Sequence, residues 1–197
     1  MLDVTGKLDA AKYLVQETLK DGSNVTIRAI RPDDTDRLVK AFLALEPQTI
    51  RLRFFYAKRS LTDADLQRLQ KMDYQRYVGL AAMVENAGEE VIIGFGEYVA
   101  RGESAEVGFV VEEDWQGHGV GSRLLQHLVR IALEHGVIQF EAEVLKENEP
   151  MLAVFRHSGL PMTTRNGDDA VLVTLVLNTP PSPEAKPIHA DEMSMVR

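Results

Sequence analysis

Alternating and clustered hydrophobic positions divide the chain into short strands near its start and in its middle. Residues 13–20 and 24–30 alternate and are joined by Asp21-Gly22, which predicts a β-hairpin. Three apolar runs separated by short turns predict an antiparallel meander. These runs are residues 77–84, 91–100 and 105–111. Residues 137–145 and 170–177 are two further predicted strands.

Helical spacing of apolar residues predicts five helices between these strands. They are a helix that starts near Asp34 and carries Leu38 and Phe42, residues 48–55, residues 61–72 with Thr62 as N-cap, residues 120–135, and residues 150–157. The alternation of elements predicts one mixed α/β sheet domain at residues 13–177. Residues 1–12 are expected to form an N-terminal extension, and the proline-rich residues 178–197 a disordered tail.

Composition and charge narrow the functional classes. The chain has 197 residues, no cysteine and a net charge of −8. Disulfides, thiolate metal sites and a covalent cysteine intermediate are therefore excluded, and nucleic acid is not an expected partner. With no apolar run of membrane-spanning length and no visible signal peptide, we expect no membrane partner and a cytoplasmic location. A monomer or a homodimer would fit.

The glycine-rich segment at residues 116–121 has the most specific pattern. A predicted strand enters it and a predicted helix leaves it, so free N–H groups at the helix start could hold a pyrophosphate. The segment lacks the Gly-Lys-Ser/Thr ending of a P-loop, and its glycines lack the spacing of a dinucleotide fingerprint. A simple chain reversal is the alternative interpretation.

The pattern Gln116-x-x-Gly119-x-Gly121 resembles the acyl-CoA signature of the GCN5-related N-acetyltransferase (GNAT) superfamily. Asn148, followed by Met151-Leu152 and Gly159, resembles the second CoA-side motif of that superfamily, with Leu160 in place of a phenylalanine. Residues 51–55, 61–66 and 114–117 are similar to the catalytic domain of Pat-type protein lysine acetyltransferases.

The resemblance implies a GNAT-like α/β fold with a mixed, mostly antiparallel sheet, helices on both faces and a splayed acyl-CoA cleft between residues 105–111 and 137–145. It implies acetyl-CoA as cosubstrate, with backbone groups of Val110 and Val111 pairing with the pantetheine arm and no metal. The implied cofactor residues are Phe109, Val110, Val111, Gln116, Gly117, His118, Gly119, Val120, Gly121, Ser122, Asn148, Met151, Leu152 and Phe155.

Glu106 is the candidate general base. A lysine amine has a pKa of about 10.4 and must lose a proton before it accepts an acyl group. Glu106 stands in an otherwise apolar strand ahead of the glycine loop, in the position that resembles the GNAT base. The alternative is a solvent-facing strand residue. Glu97 is the second candidate and Glu85 the third.

Several residues carry competing interpretations. Phe155 occupies the position where many GNAT proteins carry a proton-donating tyrosine, which leaves Ser158 as a remote substitute. Arg51 and Arg53 fall where the superfamily places substrate-side helices, but structural ion pairs are the alternative. His127, on the helix after the glycine loop, is expected at the surface.

The expected activity is direct acetyl transfer from acetyl-CoA to a primary amine, a protein lysine side chain first. Two alternatives stay open. One is acetylation of a small amine such as a polyamine, an amino acid or an antibiotic. The other is a CoA-binding sensor module without catalysis, which the absent tyrosine favours and Glu106 opposes.

Overall fold

The computed structural model describes residues 8–177, and one eight-stranded sheet runs through them in the order β1-β2-β3-β4-β5-β6-β8-β7. The strands are β1 (Leu14–Thr18), β2 (Asn24–Ala29), β3 (Tyr77–Asn86), β4 (Glu89–Arg101), β5 (Ser104–Val111), β6 (Gln139–Leu145), β7 (Met162–Asn166) and β8 (Ala170–Val176). The helices are α1 (Thr35–Ala44), α2 (Pro47–Phe54), α3 (Asp63–Gln70), α4 (Val120–Glu134) and α5 (Glu149–Arg156).

All neighbouring strands are antiparallel except β5 and β6, which run parallel. The predicted hairpin and meander are confirmed as β1–β2 and β3–β5. The parallel pair is joined at three register positions, of which Glu106 opposite Glu141 is the last. Beyond it the two strands separate, which produces the predicted splay of the sheet.

One face of the sheet is covered by α4, whose apolar stripe includes the fully buried Leu124 and Leu128. The close approach of α4 to β4 requires glycine at two positions of this strand. A Cβ added at Gly94 would lie 2.9 Å from Val120, and one at Gly96 would lie 2.8 Å from Phe109. At these two points β4 carries no side chain, and this leaves room for the Val120 side chain of α4 over Gly94 and for the Phe109 ring of β5 over Gly96.

The other face of the sheet is covered by α1 and α3, which share a smaller apolar cluster with β3 and β4, and by α2, which packs against β5. Helix α3 begins at the predicted N-cap, because the Thr62 side chain accepts a hydrogen bond from the Asp65 N–H. Asp65 also pairs with Lys58 at 2.8 Å. The predicted mixed, mostly antiparallel sheet with helices on both faces is therefore confirmed.

Three parts of the chain differ from expectation, and a fourth lies outside the described residues. Strand β7 was not predicted, because Thr163–Asn166 are exposed and show no apolar alternation. His127 is buried, against the expectation of a surface residue, because Tyr13 hydrogen-bonds its ring at 2.6 Å and covers it. Leu8 and Ala10 are buried in the larger core, and the expected tail lies outside the described residues.

No helix within residues 8–177 is long and apolar enough to cross a bilayer.

A buried ion pair fastens the start of α1 to the sheet. Arg28 of β2 donates two hydrogen bonds of 2.7 Å to Asp34, and both side chains are almost fully buried. The Arg31 N–H adds a third donor at 2.8 Å. Burial raises the pKa of the Asp34 carboxyl, but the hydrogen bonds from Arg28 and Arg31 outweigh it and hold that pKa below its usual value.

We expect Asp34→Asn to lower the free energy of unfolding by about 3–5 kcal/mol, because the buried Arg28 loses the carboxylate that binds it most closely and keeps only the half-exposed Glu90 at 3.8 Å. The folded-state pKa of Asp34 is depressed, so its contribution is complete above the unfolded value of about 3.9 and is lost as the pH falls through the folded value. Urea unfolding at neutral and acidic pH measures both effects. The exposed neighbour Asp33 offers the control Asp33→Asn. Equal costs for the two variants would contradict the assignment.

Candidate active site

The separation of β5 and β6 opens a cleft made of two connected hollows. We call the first the apical chamber; it has a volume of about 370 Å³ and lies where the strands part, lined by Glu106, Val107, Ala142, Glu143 and Phe155 among others. The second, the loop chamber, has about 390 Å³ and lies beside the glycine-rich segment. The two share Leu52, Arg53, Phe109, Asn148 and Met151 in their linings.

All but two of the predicted cofactor residues line one or both chambers. They are Phe109, Val110, Val111, Gln116, Gly117, Gly119, Val120, Gly121, Ser122, Asn148, Met151 and Phe155. His118 is held outside by a 2.9 Å contact between its Nδ1 and the Gln116 carbonyl. Leu152 packs against the hydrophobic core instead.

Backbone groups of β5 point alternately toward β4 and toward the cleft. The Glu112 N–H donates a hydrogen bond to the Ile93 carbonyl of β4. The Glu103 carbonyl accepts a hydrogen bond from the N–H of Ile138, the residue that precedes β6. Alternation from these two anchors aims the N–H and C=O groups of Phe109 and Val111 into the cleft. The N–H and C=O groups of Val110 face β4, so Phe109 and not Val110 offers backbone groups to a ligand in the cleft. The Val110 side chain still lines the loop chamber.

The glycine-rich segment ends at the N-terminus of α4. Gly117 and Gly119 have φ values of 77° and 95°, in the left-handed region that favours glycine. A Cβ added at either would meet no atom within 4 Å, so the backbone conformation, and not crowding, calls for glycine at these two positions. Gln116 stabilises this shape by donating to the Val111 carbonyl at 3.0 Å and to Thr49 at 3.2 Å. Free amides, a helix dipole and the nearby Lys20 together suit a phosphate group.

Helix α5 forms the opposite wall. Asn148 is its N-cap, and the Asn148 Oδ1 accepts from the Met151 N–H at 3.2 Å. The Asn148 amide NH₂ is the part that remains to serve a ligand in the two chambers that it lines. Phe155 is buried against Phe109, and it offers no hydroxyl. Ser158 cannot substitute for it, because its Oγ donates to the Phe155 carbonyl within a turn.

Glu106 lies at the apex of the cleft, at the last position where β5 and β6 pair. Its side chain is exposed, and it lines the apical chamber. No hydrogen bond or ion pair made by residues 8–177 engages its carboxylate, while Arg68 lies near enough to interact with it electrostatically. Glu106 is therefore an accessible carboxylate at the base of an open cleft, with lone pairs free to accept a proton.

Glu97, the second candidate base, is already fully engaged. One of its oxygens accepts from Arg53 at 2.9 Å and from Arg68 at 2.7 Å, and the other accepts from the Tyr77 hydroxyl at 2.6 Å. Burial and the Glu97 carboxylate raise the pKa of Tyr77, so its hydroxyl keeps the proton that it donates. Glu97 is thus an anchor for two guanidinium groups. Glu85, near the β3–β4 turn, is exposed and lines neither chamber.

Arg53 crosses the face of β5 directly over Gly108. A Cβ added at Gly108 would lie 2.8 Å from the Arg53 Nη2. The guanidinium can occupy this place only because residue 108 has no side chain. Arg51, the other candidate on α2, forms an ion pair with Glu147 at the exposed end of the cleft. The structural interpretation of both arginines is therefore supported, and Arg53 additionally lines both chambers.

Some lining residues were not among the predicted ones. Arg68, Arg101 and Glu143 line the apical chamber, and Lys20 lines the loop chamber. Arg68 and Lys20 come from segments that only tertiary folding brings to the cleft. Glu143 had a sequence signal, since it follows Glu141 at a spacing of two in a predicted strand and therefore lies on the same face.

The family comparison decides which fold family this cleft belongs to. Residues 45–160 match the model of the acetyltransferase (GNAT) family, which is more than half of the chain. The chain belongs to the GNAT family. The predicted superfamily and enzyme class are thus confirmed, and GNAT proteins use acetyl-CoA as acyl donor.

Among curated relatives of this GNAT chain, the acetyltransferase PA5475 of Pseudomonas aeruginosa is 32% identical over 125 residues, which cover 62% of this chain and 67% of the relative. The acetyltransferase Pat of Mycolicibacterium smegmatis is 31% identical over 144 residues, which cover 72% of this chain. The match spans 42% of the length of that Pat protein.

Solved structures carry the same fold. The GNAT domain of S. lividans PAT superposes with a TM-score of 0.75 at 31% identity, covering 83% of this chain and 96% of that domain. The acetyltransferase yncA of Salmonella typhimurium, solved with acetyl-CoA, superposes with a TM-score of 0.62 at 20% identity, covering 83% of this chain and 100% of that one. The second likeness establishes the fold alone.

We expect Gly108→Ala to destabilise this GNAT chain by about 1–3 kcal/mol, because the new methyl group displaces the Arg53 guanidinium from Glu97. In an Arg53→Ala background the obstacle is gone, so the same substitution should cost at least about 1 kcal/mol less. Thermal or urea unfolding of the four proteins closes this double-mutant cycle. Additive costs would show that Arg53 does not impose the glycine.

Proposed function

We propose that this GNAT chain transfers acetyl directly from acetyl-CoA to a lysine side chain of a protein, with Glu106 as general base. The observation that carries the proposal is the position of Glu106. It is an exposed carboxylate without a hydrogen-bond partner among residues 8–177, in the lining of the apical chamber at the point where β5 and β6 part.

The donor binds along the open edge of β5 in this proposal. Phe109 and Val111 offer backbone groups to the amides of the pantetheine arm in the manner of an added strand. The amides of residues 117–122 and Lys20 hold the pyrophosphate, and the Asn148 NH₂ donates to the arm. When bound, acetyl-CoA supplies an acyl group activated as a thioester.

The acceptor amine enters the apical chamber as a cation. Arg53 and Arg68 neutralise Glu97 at this chamber, and Arg101 also lines it, so the attraction for a cation comes from the exposed carboxylates of Glu106 and Glu143. Glu106 then removes one proton, directly or through a water, and frees the nitrogen lone pair to accept the acyl group. Because Phe155 has no hydroxyl, the leaving thiolate, with a thiol pKa of about 8.5, departs without a proton donor at that position.

A protein lysine is the acceptor that the relatives favour. The chain is 31% identical both to a curated Pat acetyltransferase and to the GNAT domain of S. lividans PAT. It also carries the segments at residues 51–55 and 114–117 that resemble Pat-type protein lysine acetyltransferases.

We expect Glu106→Gln to lower kcat by about 10²–10⁴-fold with little change in CoA affinity, because the amide cannot take the proton. Thiol release measures turnover, and calorimetry measures CoA binding. Glu85→Gln is the matched control, since Glu85 is an exposed strand glutamate away from the cleft. Full activity in Glu106→Gln would remove Glu106 from the mechanism.

We expect lysine-containing proteins to be acetylated in preference to free polyamines and amino acids. The measurement compares kcat/KM across one panel that contains both classes. Preferential turnover of small amines would select the small-molecule enzyme instead. CoA binding without turnover of any acceptor would select the non-catalytic sensor module.

A further inference from the structure

A third hollow lies on the α1–α3 face of the sheet, outside the cleft. We call it the helix-side cavity. It has a volume of about 310 Å³, and its lining is mostly apolar. Ala41 and Phe42 of α1, Phe54 of α2, Leu69 of α3, and Ile93 and Phe95 of β4 are among its walls. The proposed transfer of acetyl to an amine does not use any of these side chains.

The segment between α2 and α3 forms part of the wall of this cavity. The segment between α2 and α3 carries Lys58, whose ammonium lies 5.1 Å from the centroid of the Phe54 ring and 5.9 Å from that of Tyr56. The same ammonium pairs with Asp65 of α3 at 2.8 Å. Burial raises the pKa of Asp65, but the hydrogen bonds from Lys58 and Thr62 outweigh it and lower that pKa to about 2, so the pair is ionised at neutral pH. Tyr56, 57% exposed, forms an aromatic rim at the opening.

The helix-side cavity and the apical chamber are neighbours. Arg53, Phe54, Arg68 and Glu97 line both of them, so one layer of side chains separates the two spaces. Glu97 holds the two guanidinium groups of this layer in place. An acceptor segment that delivers an amine to the apical chamber therefore lies next to an apolar pocket, with only this layer of side chains between them.

We propose that the helix-side cavity receives an aliphatic or aromatic side chain that stands close to the acceptor lysine in the sequence of the acceptor protein. This inference rests on the proposed function, because it assigns the acceptor's second contact. Apolar walls and an aromatic rim stabilise a buried Leu or Phe side chain far more than a polar one. The selection acts on the acceptor's sequence, and the amine itself is recognised in the apical chamber.

The charges that border the cavity argue against a charged occupant. The cation Lys58 is already paired with Asp65, and Glu97 with Arg53 and Arg68. Glu112 also lines the cavity, and burial raises the pKa of its carboxyl. An acidic side chain in the cavity would meet this carboxylate without gaining a free cation, so acidic neighbours of the acceptor lysine are disfavoured.

The donor's acyl group is a less suitable occupant. The cleft edge of β5 carries the donor in our proposal, and Glu106 marks where transfer occurs. Arg53 lies over Gly108, between that point and the cavity. An acyl chain longer than acetyl would have to turn back past the guanidinium to reach the apolar walls.

The test uses synthetic peptides with one lysine, in which each flanking position in turn is Leu, Phe, Gly or Asp. We expect Leu or Phe at one flanking position to raise kcat/KM at least about tenfold over Gly there, and Asp to lower it. Ala41→Leu should reduce the Leu-to-Gly ratio toward one, because the new side chain fills the cavity. Ala44→Leu is the matched control: the same substitution on the same helix, at an exposed residue outside the cavity lining, should keep the ratio.

The outcomes separate this inference from the proposed function. Equal turnover of all peptides, or an unchanged ratio in a folded Ala41→Leu variant, would overturn the inference and leave lysine acetylation standing. Turnover of small amines but of no lysine peptide would overturn both. If Ala41→Leu instead changes the preference among acyl-CoA donors of different chain length, with no effect on the peptide ratio, the cavity belongs to the donor and the inference is wrong.

Discussion

The loss of pairing between β5 and β6 is the constraint on which the rest of the site depends. The two strands share three register positions and then separate, although each stays paired on its other side, β5 to β4 and β6 to β8. This arrangement leaves the cleft-side N–H and C=O groups of β5 without a neighbouring strand. Buried backbone groups must be paired, whereas those in an open cleft can be served by water or by a ligand. The gap is therefore stable when water or a ligand pairs with these backbone groups.

Two helices around this gap have their N-termini at its border. The glycine-rich segment brings the N-terminus of α4 to one end, and the Asn148 cap brings the N-terminus of α5 to the side. Arg53 and Arg68 approach from the opposite face and are held by a single buried carboxylate, Glu97. Glu97 and Glu106, on the neighbouring strands β4 and β5, therefore have different roles. Glu97 is buried and accepts three hydrogen bonds, two of them from guanidinium groups, whereas Glu106 is left exposed.

Sequence patterns were sufficient for the order of elements and for most of the cleft, because local rules govern both. The period of the hydrophobic positions distinguishes helices from strands within a few residues. The Thr62 cap starts α3 and Gly136 follows the end of α4, and both signals are equally local. The missed features depend on contacts between distant segments. Strand β7 is stabilised by pairing with β8 while its own side chains face water. His127 is buried by Tyr13, more than one hundred positions away, and Glu97 acquires its three donors from α2, α3 and β3.

The narrow junction between β5 and β6 also divides the sheet into two parts, β1–β5 and β6–β8, joined by three backbone positions and by the packing of the core. A ligand that hydrogen-bonds to the open edge of β5 takes the place of a neighbouring strand. It binds the folded chain but not the unfolded one. By mass action, such a ligand at 100 times its Kd adds about 2.7 kcal/mol to the free energy of unfolding. The resistance of the folded protein to proteolysis then rises with the concentration of its own acyl donor, because proteases act on the unfolded population.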